Sequence, residues 1–406
     1  MSVILRNITD RNTILNLMNI SDNNIDFKCI SVREDRKIVS YIIYHYTDNK
    51  TIIDYLYTDE QYRNKGYALK LINRLEIESN NNIFIAYTNK NTDHFFAKYF
   101  EKDSVNNCFI LNRVKVDLHI HLGQVPSTRK TTSKEFDIQT DQVKSYIQNS
   151  NITHACILYT NYEQLYELSQ DLPGVKLYGL QYYDISLCNS VLNFQKFDCD
   201  KDLWKGIKIH SHRNFNSKSI INYSQKGLLH SLFNSLPDNS IILPHFQGSI
   251  GSTPLDIQNN IIEFTNHKFI IGHSGNYGHM AYKPNIIENQ YDTNKKNLMH
   301  LHLISLNSVN TAVNLANNLP NVYLDSSIFV THKNIIFNDC VNSGFGSDFP
   351  LGVMKNKLLQ NQEILYCNSF SKNIHLNTIH LNTVKFLNSS IEERMKKFFK
   401  ENKKQC

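Results

Sequence analysis

Short apolar, β-rich runs alternate with longer helical segments from Val114 onward, and this alternation constrains the fold more than any other feature of the chain. Strands that alternate with helices form parallel sheets, and eight repeats are the count of a (β/α)8 barrel, the TIM barrel. We therefore predict a TIM barrel over residues 114–390. The runs are VKVDLHIH (114–121), THACILY (153–159), VKLYGLQYY (175–183), GIKIHSH (206–212), SIILPHF (240–246), KFIIGHS (268–274), NVYLDSS (321–327) and GFGSDF (344–349).

Histidines and an aspartate lie at the ends of these predicted strands. His119 and His121 are two residues apart on an extended run, so both imidazoles point to the same side of the strand. His245, His273 and Asp348 each lie at the C-terminal end of another run, and in a barrel these ends form the active-site face. Imidazoles with a carboxylate suit zinc or a similar divalent ion and can leave a coordination position open for water.

Several of these segments resemble, in order and spacing, the strand ends of the amidohydrolase superfamily. The resemblance is closest to the amidohydrolase-related branch, which also contains decarboxylases and lactonases, and it spans about residues 114–387. The matching segments are VDLHIHLG, GIKIH, LPHF, FIIGHSGN, NVYLDSS and FGSDFP. The resemblance implies a metal-dependent hydrolase, with a divalent ion, most simply zinc, as its cofactor.

The resemblance also implies a role for each matched residue. His119, His121 and His245 correspond to metal ligands, and Asp348 corresponds to a further ligand that also acts as general base. His273 matches the sixth-strand histidine, which holds water or substrate in single-metal members and binds the second ion in two-metal members. A hydrolase of this kind would cleave an amide, ester or lactone bond.

Two other matched positions leave alternatives open. Lys208 could lie where two-metal members place a carboxylated, bridging lysine, but the amidohydrolase-related branch often carries this lysine without that role. We therefore expect one ion. Asp325 matches the seventh-strand acid and is interpreted as a hydrogen-bonding structural residue. The same residues could instead serve a decarboxylase, which release of carbon dioxide would reveal.

The residues before Lys115 show a different order of elements, because their strands are clustered. Clustered strands with interspersed helices are typical of an α+β domain. The predicted elements are a helix at Asn7–Asn19, strands at Phe27–Arg33, Ile38–Tyr46 and Thr51–Tyr57, a helix at Gly66–Glu78, a strand at Ile83–Tyr87, a further helix, and a strand at Cys108–Val114.

A glycine-containing turn precedes the second of these helices. Glycine permits close approach of the backbone, and the N–H groups at a helix N-terminus favour anionic oxygens, so the turn suits a phosphate. The stretch IIDYLYTDEQYRNKGYALKLINRL resembles the acetyl-CoA motif of GCN5-related N-acetyltransferases, with Arg63, Gly66 and Ala68 at the core positions. This resemblance implies that the pyrophosphate of acetyl-CoA lies on the residues Arg63, Asn64, Lys65, Gly66, Tyr67 and Ala68.

The proton-transfer residues of such a transferase have several candidates. Phe100 takes the place of the tyrosine general acid, and the adjacent Tyr99 points elsewhere on a helix. Asp54 or Glu60 could deprotonate the acceptor amine. Either the domain transfers an acyl group, or it only binds coenzyme A as a docking or regulatory module; a thiol-release assay with an amine panel discriminates the two.

Both resemblances together imply an α/β chain with an acetyltransferase-like domain at 1–113, a TIM barrel at 114–390 and a basic amphipathic helix at 391–406. The cysteines form no Cys-x-x-Cys pair, which favours a reducing, cytoplasmic location. No run is apolar enough to cross a membrane. The net charge is +6, and half of it comes from the last predicted helix, so we expect no nucleic-acid partner. We expect a small-molecule substrate and leave a homodimer open.

Overall fold

The computed structural model of the chain describes residues 3–19, 25–79, 81–88, 92–124, 137–184, 202–210, 231–244, 265–275, 309–327, 342–347 and 376–402. The chain divides into two compact units, one of Met1–Lys115 with Gln360–Ile379 and the other of Val116–Leu359 with His380–Cys406. Each unit contains its own sheet. The finer division into residues 1–113, 114–390 and 391–406 stays a prediction.

The first unit is a mixed sheet of seven strands with three helices. Its strands are β1 (Val3–Ile8), β2 (Lys28–Glu34), β3 (Lys37–Tyr46), β4 (Lys50–Thr58), β5 (Ile83–Ala86), β6 (Glu101–Asp103) and β7 (Cys108–Asn112), and its helices are α1 (Arg11–Met18), α2 (Tyr67–Glu78) and α3 (Asp93–Tyr99). The strand order is β1-β2-β3-β4-β5-β7-β6. Neighbouring strands are antiparallel except β4 and β5, which are parallel.

The first helix and strand differ from the sequence prediction. The predicted helix at Asn7–Asn19 is wrong at its start, because Val3–Ile8 pairs with β2 and the helix begins at Arg11. Asp10 explains the boundary: its carboxylate accepts a hydrogen bond from the backbone N–H of Thr13 at 2.8 Å, which is the arrangement of an N-cap. The short strand β6 was also not predicted.

Alternate residues of the central strands enter separate cores on the two faces of this sheet. Ile42 and Ile53 belong to a core that also contains Leu71 of α2 and Phe96 of α3. Ile43 lies in the core under α1. This alternation follows from the strand period of two residues and fixes the register of β3 and β4.

The second unit is built on a curled sheet of nine strands. They are β8 (Val116–Gln124), β9 (Asp137–Ile138), β10 (His154–Tyr159), β11 (Lys176–Asp184), β12 (Trp204–His210), β13 (Ile241–Pro244), β14 (Lys268–Ile271), β15 (Val322–Asp325) and β16 (Ser343–Gly344). The order is β9-β8-β10-β11-β12-β13-β14-β15-β16. Every neighbouring pair is parallel except β8 and the short β9.

Each predicted barrel run overlaps a strand of this sheet, the last one, GFGSDF, only at Gly344. Most apolar residues of these strands are buried, as expected for parallel strands covered on both faces. The two ends of the sheet approach each other, because the backbone N–H of Leu118 in β8 donates to the carbonyl of Phe345, which follows β16, at 2.9 Å. The described residues show this curled sheet, and the closed barrel stays a prediction.

Helices pack against both the earlier and the later strands of the second sheet. They include α4 (Thr140–Asn149), α5 (Tyr162–Asp171), α6 (Leu376–Asn388) and α7 (Ile391–Asn402), with further helical residues at 231–235 and 309–318. Phe386 of α6 stacks on Tyr323 of β15 with ring centroids 4.5 Å apart, and the guanidinium of Arg394 lies over the same phenylalanine at 4.6 Å. This packing positions β15, which carries Asp325.

Candidate functional site

A buried polar cluster of the second unit lies at the ends of β14 and β15 and beside the middle of β8. It consists of His119, His273, Asp325 and Ser327. His119 lies in β8, His273 follows β14 in the turn Gly272–Gly275, and Asp325 is the last residue of β15. Parallel strands bring their carboxyl ends to one edge of a sheet, which explains how residues far apart in the chain meet here.

Asp325 accepts hydrogen bonds from the rest of the cluster. Its Oδ2 lies 2.5 Å from Nδ1 of His119 and 2.7 Å from Oγ of Ser327, and its Oδ1 lies 2.8 Å from the backbone N of Ser327. Burial alone would raise the pKa of Asp325, but His119 and His273 outweigh it and lower the pKa to about 2. The carboxylate is therefore ionised and can only accept hydrogen bonds.

This arrangement decides which nitrogen of each imidazole carries a proton. Because Oδ2 of Asp325 only accepts, Nδ1 of His119 is the donor in their contact. The hydroxyl of Ser327 gives its proton to Asp325, so Oγ accepts from Nδ1 of His273 at 2.7 Å. In its neutral form each ring would then carry its proton on Nδ1 and a lone pair on Nε2, the form in which histidine binds a metal.

The distances also show whether two of these side chains share a hydrogen bond or are spaced as ligands of one metal ion would be. One nitrogen from His119, one from His273 and a carboxylate oxygen of Asp325 lie within 4.8 Å of one another. Two ligands of a tetrahedral zinc ion with bonds of about 2.1 Å are about 3.4 Å apart. The 2.5 Å contact between His119 and Asp325 is shorter and is a hydrogen bond. Asp325 thus orients His119, in agreement with its interpretation from sequence.

The backbone conformation of His273 also marks this cluster as a candidate functional site. His273 adopts φ 52°, a left-handed conformation that is uncommon for a residue other than glycine. Its backbone N lies 3.3 Å from Oδ2 of Asp325, and its ring stacks on the His119 ring with centroids 4.8 Å apart. Non-glycine residues held in this conformation cluster at functional sites.

His121 and Lys208 lie close to this cluster. The rings of His119 and His121 have centroids 5.1 Å apart, as the alternation of β8 predicts. Lys208 of β12 is fully buried, and its Nζ lies 3.5 Å from the place where a side chain on Gly272 would begin. The structure therefore brings this lysine next to the residue that precedes His273.

The segment after β16 closes the cluster from another side. A side chain on Gly346 would begin 1.9 Å from Oδ1 of Asp325 and 3.1 Å from Cβ of His119, so only glycine fits. The next residue, Ser347, donates its backbone N–H to Oδ1 of Asp117 at 2.9 Å. The same oxygen accepts from the N–H of His119 at 3.0 Å, which fixes the segment to β8.

Two of the predicted ligands, His245 and Asp348, lie outside the described residues. His245 directly follows β13, and Asp348 directly follows the described segment 342–347. Their assignment as ligands, and that of Asp348 as general base, stays a prediction.

The glycine-containing turn of the first unit runs from the residues Glu60–Tyr62 to α2. Asn64 has φ 62° and Gly66 has φ 76°, so the chain makes two left-handed steps before the helix starts at Tyr67. Gly66 is the N-cap and supplies no side chain to cap the helix. The first amides of α2 therefore face outward at a positive helix end, which suits an anionic oxygen.

The cationic side chains of this turn are exposed. The side chain of Arg63 is 59% exposed and that of Lys65 is 45% exposed. Lys65 lies over the ring of Tyr62 with its Nζ 4.5 Å from the centroid. Both already face a carboxylate, Arg63 that of Glu60 at 3.8 Å and Lys65 that of Glu34 at 4.0 Å, and a bound anion would compete with these contacts.

The model of the Acetyltransferase (GNAT) family matches residues 9–101. This part of the chain is a GNAT domain. Among solved structures, the chain is similar to the PaiA N-acetyltransferase from Thermoplasma acidophilum in complex with coenzyme A, with 18% identity, TM-score 0.19, 24% of this chain and 64% of that one covered. Tetrahymena GCN5 is similar with 12% identity, TM-score 0.20, and 25% and 76% coverage.

A third solved structure is similar over a larger share of the chain. It is a probable 2-pyrone-4,6-dicarboxylic acid hydrolase from Acinetobacter baumannii with citric acid bound, with 13% identity, TM-score 0.42, 68% of this chain and 99% of that one covered. No curated protein matches the chain in sequence. No helix among the described residues is long and apolar enough to span a membrane.

The GNAT domain opens between its two parallel strands. β4 and β5 pair only from Lys50–Ile83 to Ile53–Ala86, while β4 continues to Thr58. Phe100, which stands in place of the tyrosine general acid, is buried in the hydrophobic core, and Tyr99 packs against that core. Phe100 has no ionisable group and therefore cannot act as the acid.

Sequence reasoning did not identify Ser327, although NVYLDSS was one of the matching segments. Its hydroxyl is the group that links Asp325 to His273. The serine pair after the strand was a usable signal, because small hydroxyl residues at strand ends often hydrogen-bond nearby polar groups.

Proposed function

We propose that this chain is a bifunctional enzyme, in which the GNAT domain transfers an acetyl group from acetyl-CoA to an amine. The observation that carries this proposal is the turn between Arg63 and Ala68, whose left-handed Gly66 opens the N-terminus of α2. Acetyl-CoA supplies an activated acetyl thioester. The amides of the turn would bind its pyrophosphate, and Arg63 and Lys65 would add positive charge.

We predict that acetyl-CoA raises the melting temperature of the protein, and that Gly66→Asp removes the increase. A ligand at about 100 times its dissociation constant stabilises the native state by about 2.7 kcal/mol. An aspartate would place a carboxylate against the phosphates. Differential scanning fluorimetry with and without acetyl-CoA measures the shift.

Gly66→Asn is the matched control, because asparagine has the shape of aspartate and tolerates the left-handed conformation without adding charge. This variant should keep most of the shift. Acetate, which lacks the pyrophosphate, should give none. An undiminished shift in Gly66→Asp would show that the pyrophosphate binds elsewhere.

We further propose that the second unit is a closed (β/α)8 barrel that hydrolyses an amide, ester or lactone bond with a divalent metal ion. The hydrogen bond from Leu118 to Phe345 supports the closure, because it joins the two ends of the curled sheet. The placement of the Nδ1 proton of His119 supports metal binding, because it leaves a lone pair on Nε2 of this proposed ligand.

The donor chemistry fits a divalent ion of the zinc type, since imidazole nitrogens with a carboxylate are its usual ligands. His119, His121, His245 and Asp348 would hold one such ion. Bound there, it would supply Lewis-acid polarisation and a water that ionises near neutral pH. Asp348 would take the proton of the attacking water, and His273, when its ring is protonated on both nitrogens, would donate a hydrogen bond from Nε2 to the carbonyl oxygen of the substrate.

We predict that Asp348→Asn retains much of the ion but lowers the hydrolysis rate by about 10²–10⁴-fold, because an amide cannot accept the proton. The test measures metal content and hydrolysis over a panel of N-acyl amines, lactones and carboxylic acids. Near-parental turnover with the ion retained would make Asp348 at most a ligand and would move the base role to His273.

The lyase alternative uses the same residues. A carboxylic acid substrate that loses carbon dioxide in the panel, while amides and lactones stay intact, would make the second unit a decarboxylase. For the first unit, binding of acetyl-CoA without thiol release from any amine would leave the GNAT domain as a coenzyme A binding module.

A further inference from the structure

A buried carboxylate faces the glycine-containing turn of the GNAT domain. Glu34 is the last residue of β2, and only 4% of its side chain is exposed. Its backbone pairs with Val3 of β1 on one side and with Lys37 of β3 on the other, so the sheet fixes its position. Among the described residues, no group hydrogen-bonds to its Oε2. A buried acceptor in this state costs free energy, which sets Glu34 apart from an ordinary structural residue.

The cation that faces this carboxylate belongs to the turn. Nζ of Lys65 lies 4.0 Å from Oε2 of Glu34, a separation that allows an ion pair but is too long for a hydrogen bond. The same Nζ lies over the ring of Tyr62, 4.5 Å from its centroid. The buried charge and the ring face together stabilise the position that the ammonium group of Lys65 has in the ligand-free protein.

The first residue of α2 is also close to Glu34. Tyr67 is buried, and this burial, followed by the charge of Glu34, raises the pKa of its hydroxyl. The phenol therefore stays neutral near pH 7 and does not balance the negative charge. Among the described ion pairs, the one with Lys65 balances it.

The two partners of this ion pair differ in exposure. The side chain of Lys65 is 45% exposed, whereas that of Glu34 is 4% exposed. The flexible lysine can turn towards a solute, but the carboxylate stays inside. Removal of one partner from a buried ion pair leaves an uncompensated charge. An anion that draws Lys65 away must therefore offset that loss.

The other cation of the turn has a more exposed partner. Nη1 of Arg63 lies 3.8 Å from Oε1 of Glu60, and the two side chains are 59% and 88% exposed. Water screens such a pair, so it contributes little free energy. An anion can therefore take Arg63 at a smaller cost than Lys65.

We propose that Glu34 competes with the pyrophosphate of coenzyme A for Lys65 and thereby lowers the affinity of the turn for the coenzyme. The inference rests on the proposed binding of acetyl-CoA at this turn, and it adds a regulation of that site. When coenzyme A leaves, Lys65 returns to the buried carboxylate, so the ion pair favours product release. Product release limits the turnover of many enzymes, and a resident competitor shortens that step.

The test measures the dissociation constant of coenzyme A for the full chain by isothermal titration calorimetry. Glu34→Gln removes the charge and keeps the shape, which frees Lys65 for the pyrophosphate. We expect binding to tighten by roughly 3- to 10-fold, between the effect of an exposed ion pair and that of a hydrogen bond to a charged group. Glu60→Gln is the matched control and should change binding by less than about twofold, because its pair with Arg63 is screened.

Glu34→Met is a second variant of the same position. Methionine fills a similar volume without a polar group, and apolar residues often replace buried charges without loss of stability. This variant should tighten binding as Glu34→Gln does, and the melting temperature of each ligand-free variant verifies that it folds.

A double variant tests whether Glu34 acts through Lys65. Lys65→Met keeps the aliphatic side chain, removes the charge and should weaken binding. Glu34→Gln added to Lys65→Met should then give no gain in affinity. An equal gain in both backgrounds would mean that the two effects are additive, and it would overturn the competition for Lys65.

The outcomes separate this inference from the proposed function. Weakened binding in Gly66→Asp, with unchanged or weaker binding in Glu34→Gln and Glu34→Met, would keep the pyrophosphate at the turn and overturn the role of Glu34. Coenzyme A that does not bind the parent, or that binds Gly66→Asp equally well, would overturn both.

Discussion

Purified His119→Ala protein is expected to hold almost no divalent ion, whereas Asp325→Asn should keep the site with weaker affinity. His119 would lose its ligand atom in the first variant. In the second, the ring would lose the carboxylate whose Oδ2 lies 2.5 Å from its Nδ1 and holds the Nδ1 proton. Removing such an orienting partner lowers metal affinity by about 10- to 100-fold. Elemental analysis after dialysis, with a chelator titration, measures both.

Excess zinc distinguishes the two variants further. It should restore hydrolysis to Asp325→Asn by mass action but not to His119→Ala. His94→Ala, which removes an exposed histidine of α3, is the control and should match the parent. Full metal content in His119→Ala would refute the assignment of β8 as the first ligand strand.

Gly206→Ala is expected to destabilise the second unit severely. A side chain on Gly206 would begin 1.8 Å from the carbonyl oxygen of Ile241, the residue with which it pairs in β13. Backbone atoms cannot rotate away as a side chain can, so β12 and β13 must separate. We expect a loss of about 4 kcal/mol or more in the free energy of unfolding. Urea denaturation followed by circular dichroism measures it.

Gly174→Ala provides the comparison, because nothing lies within 4 Å of the side chain it would add. Its effect should be within about 0.5 kcal/mol, as for most surface substitutions. Equal denaturation midpoints for the two variants would show that the pairing of β12 and β13 differs from the one described.

The strands of the second unit were predictable because burial on both faces selects continuous apolar runs. CILY within β10 and IIL within β13 carry that signal directly. The strand β1 was not, since VILRNI mixes apolar and polar residues and leads into a helix. Its pairing with β2 is a tertiary contact that local pattern does not encode.

The residues of the candidate sites also differ in how far the sequence predicts them. The turn at Gly66 was predictable because a left-handed residue before a helix has a short, local signature. The support of His119 by Asp325 and Ser327 was only partly predictable, since hydrogen-bond partners far apart in sequence leave no spacing to read. Asp54, a candidate base, lies 2.7 Å from Nδ1 of His45 at a bulge of β4, and one extra residue in a strand has no compositional mark.

The contact between His119 and Asp325 joins residues 206 positions apart, which bears on how the protein is made. Bringing together the ends of a chain that long costs roughly 5 kcal/mol in loop-closure entropy. On the ribosome, the histidines of β8 emerge well before the aspartate that will hold one of them. Loading of the proposed metal ion would therefore follow synthesis of the later strands, and a nascent chain released before β15 would carry the histidines without the geometry to use them.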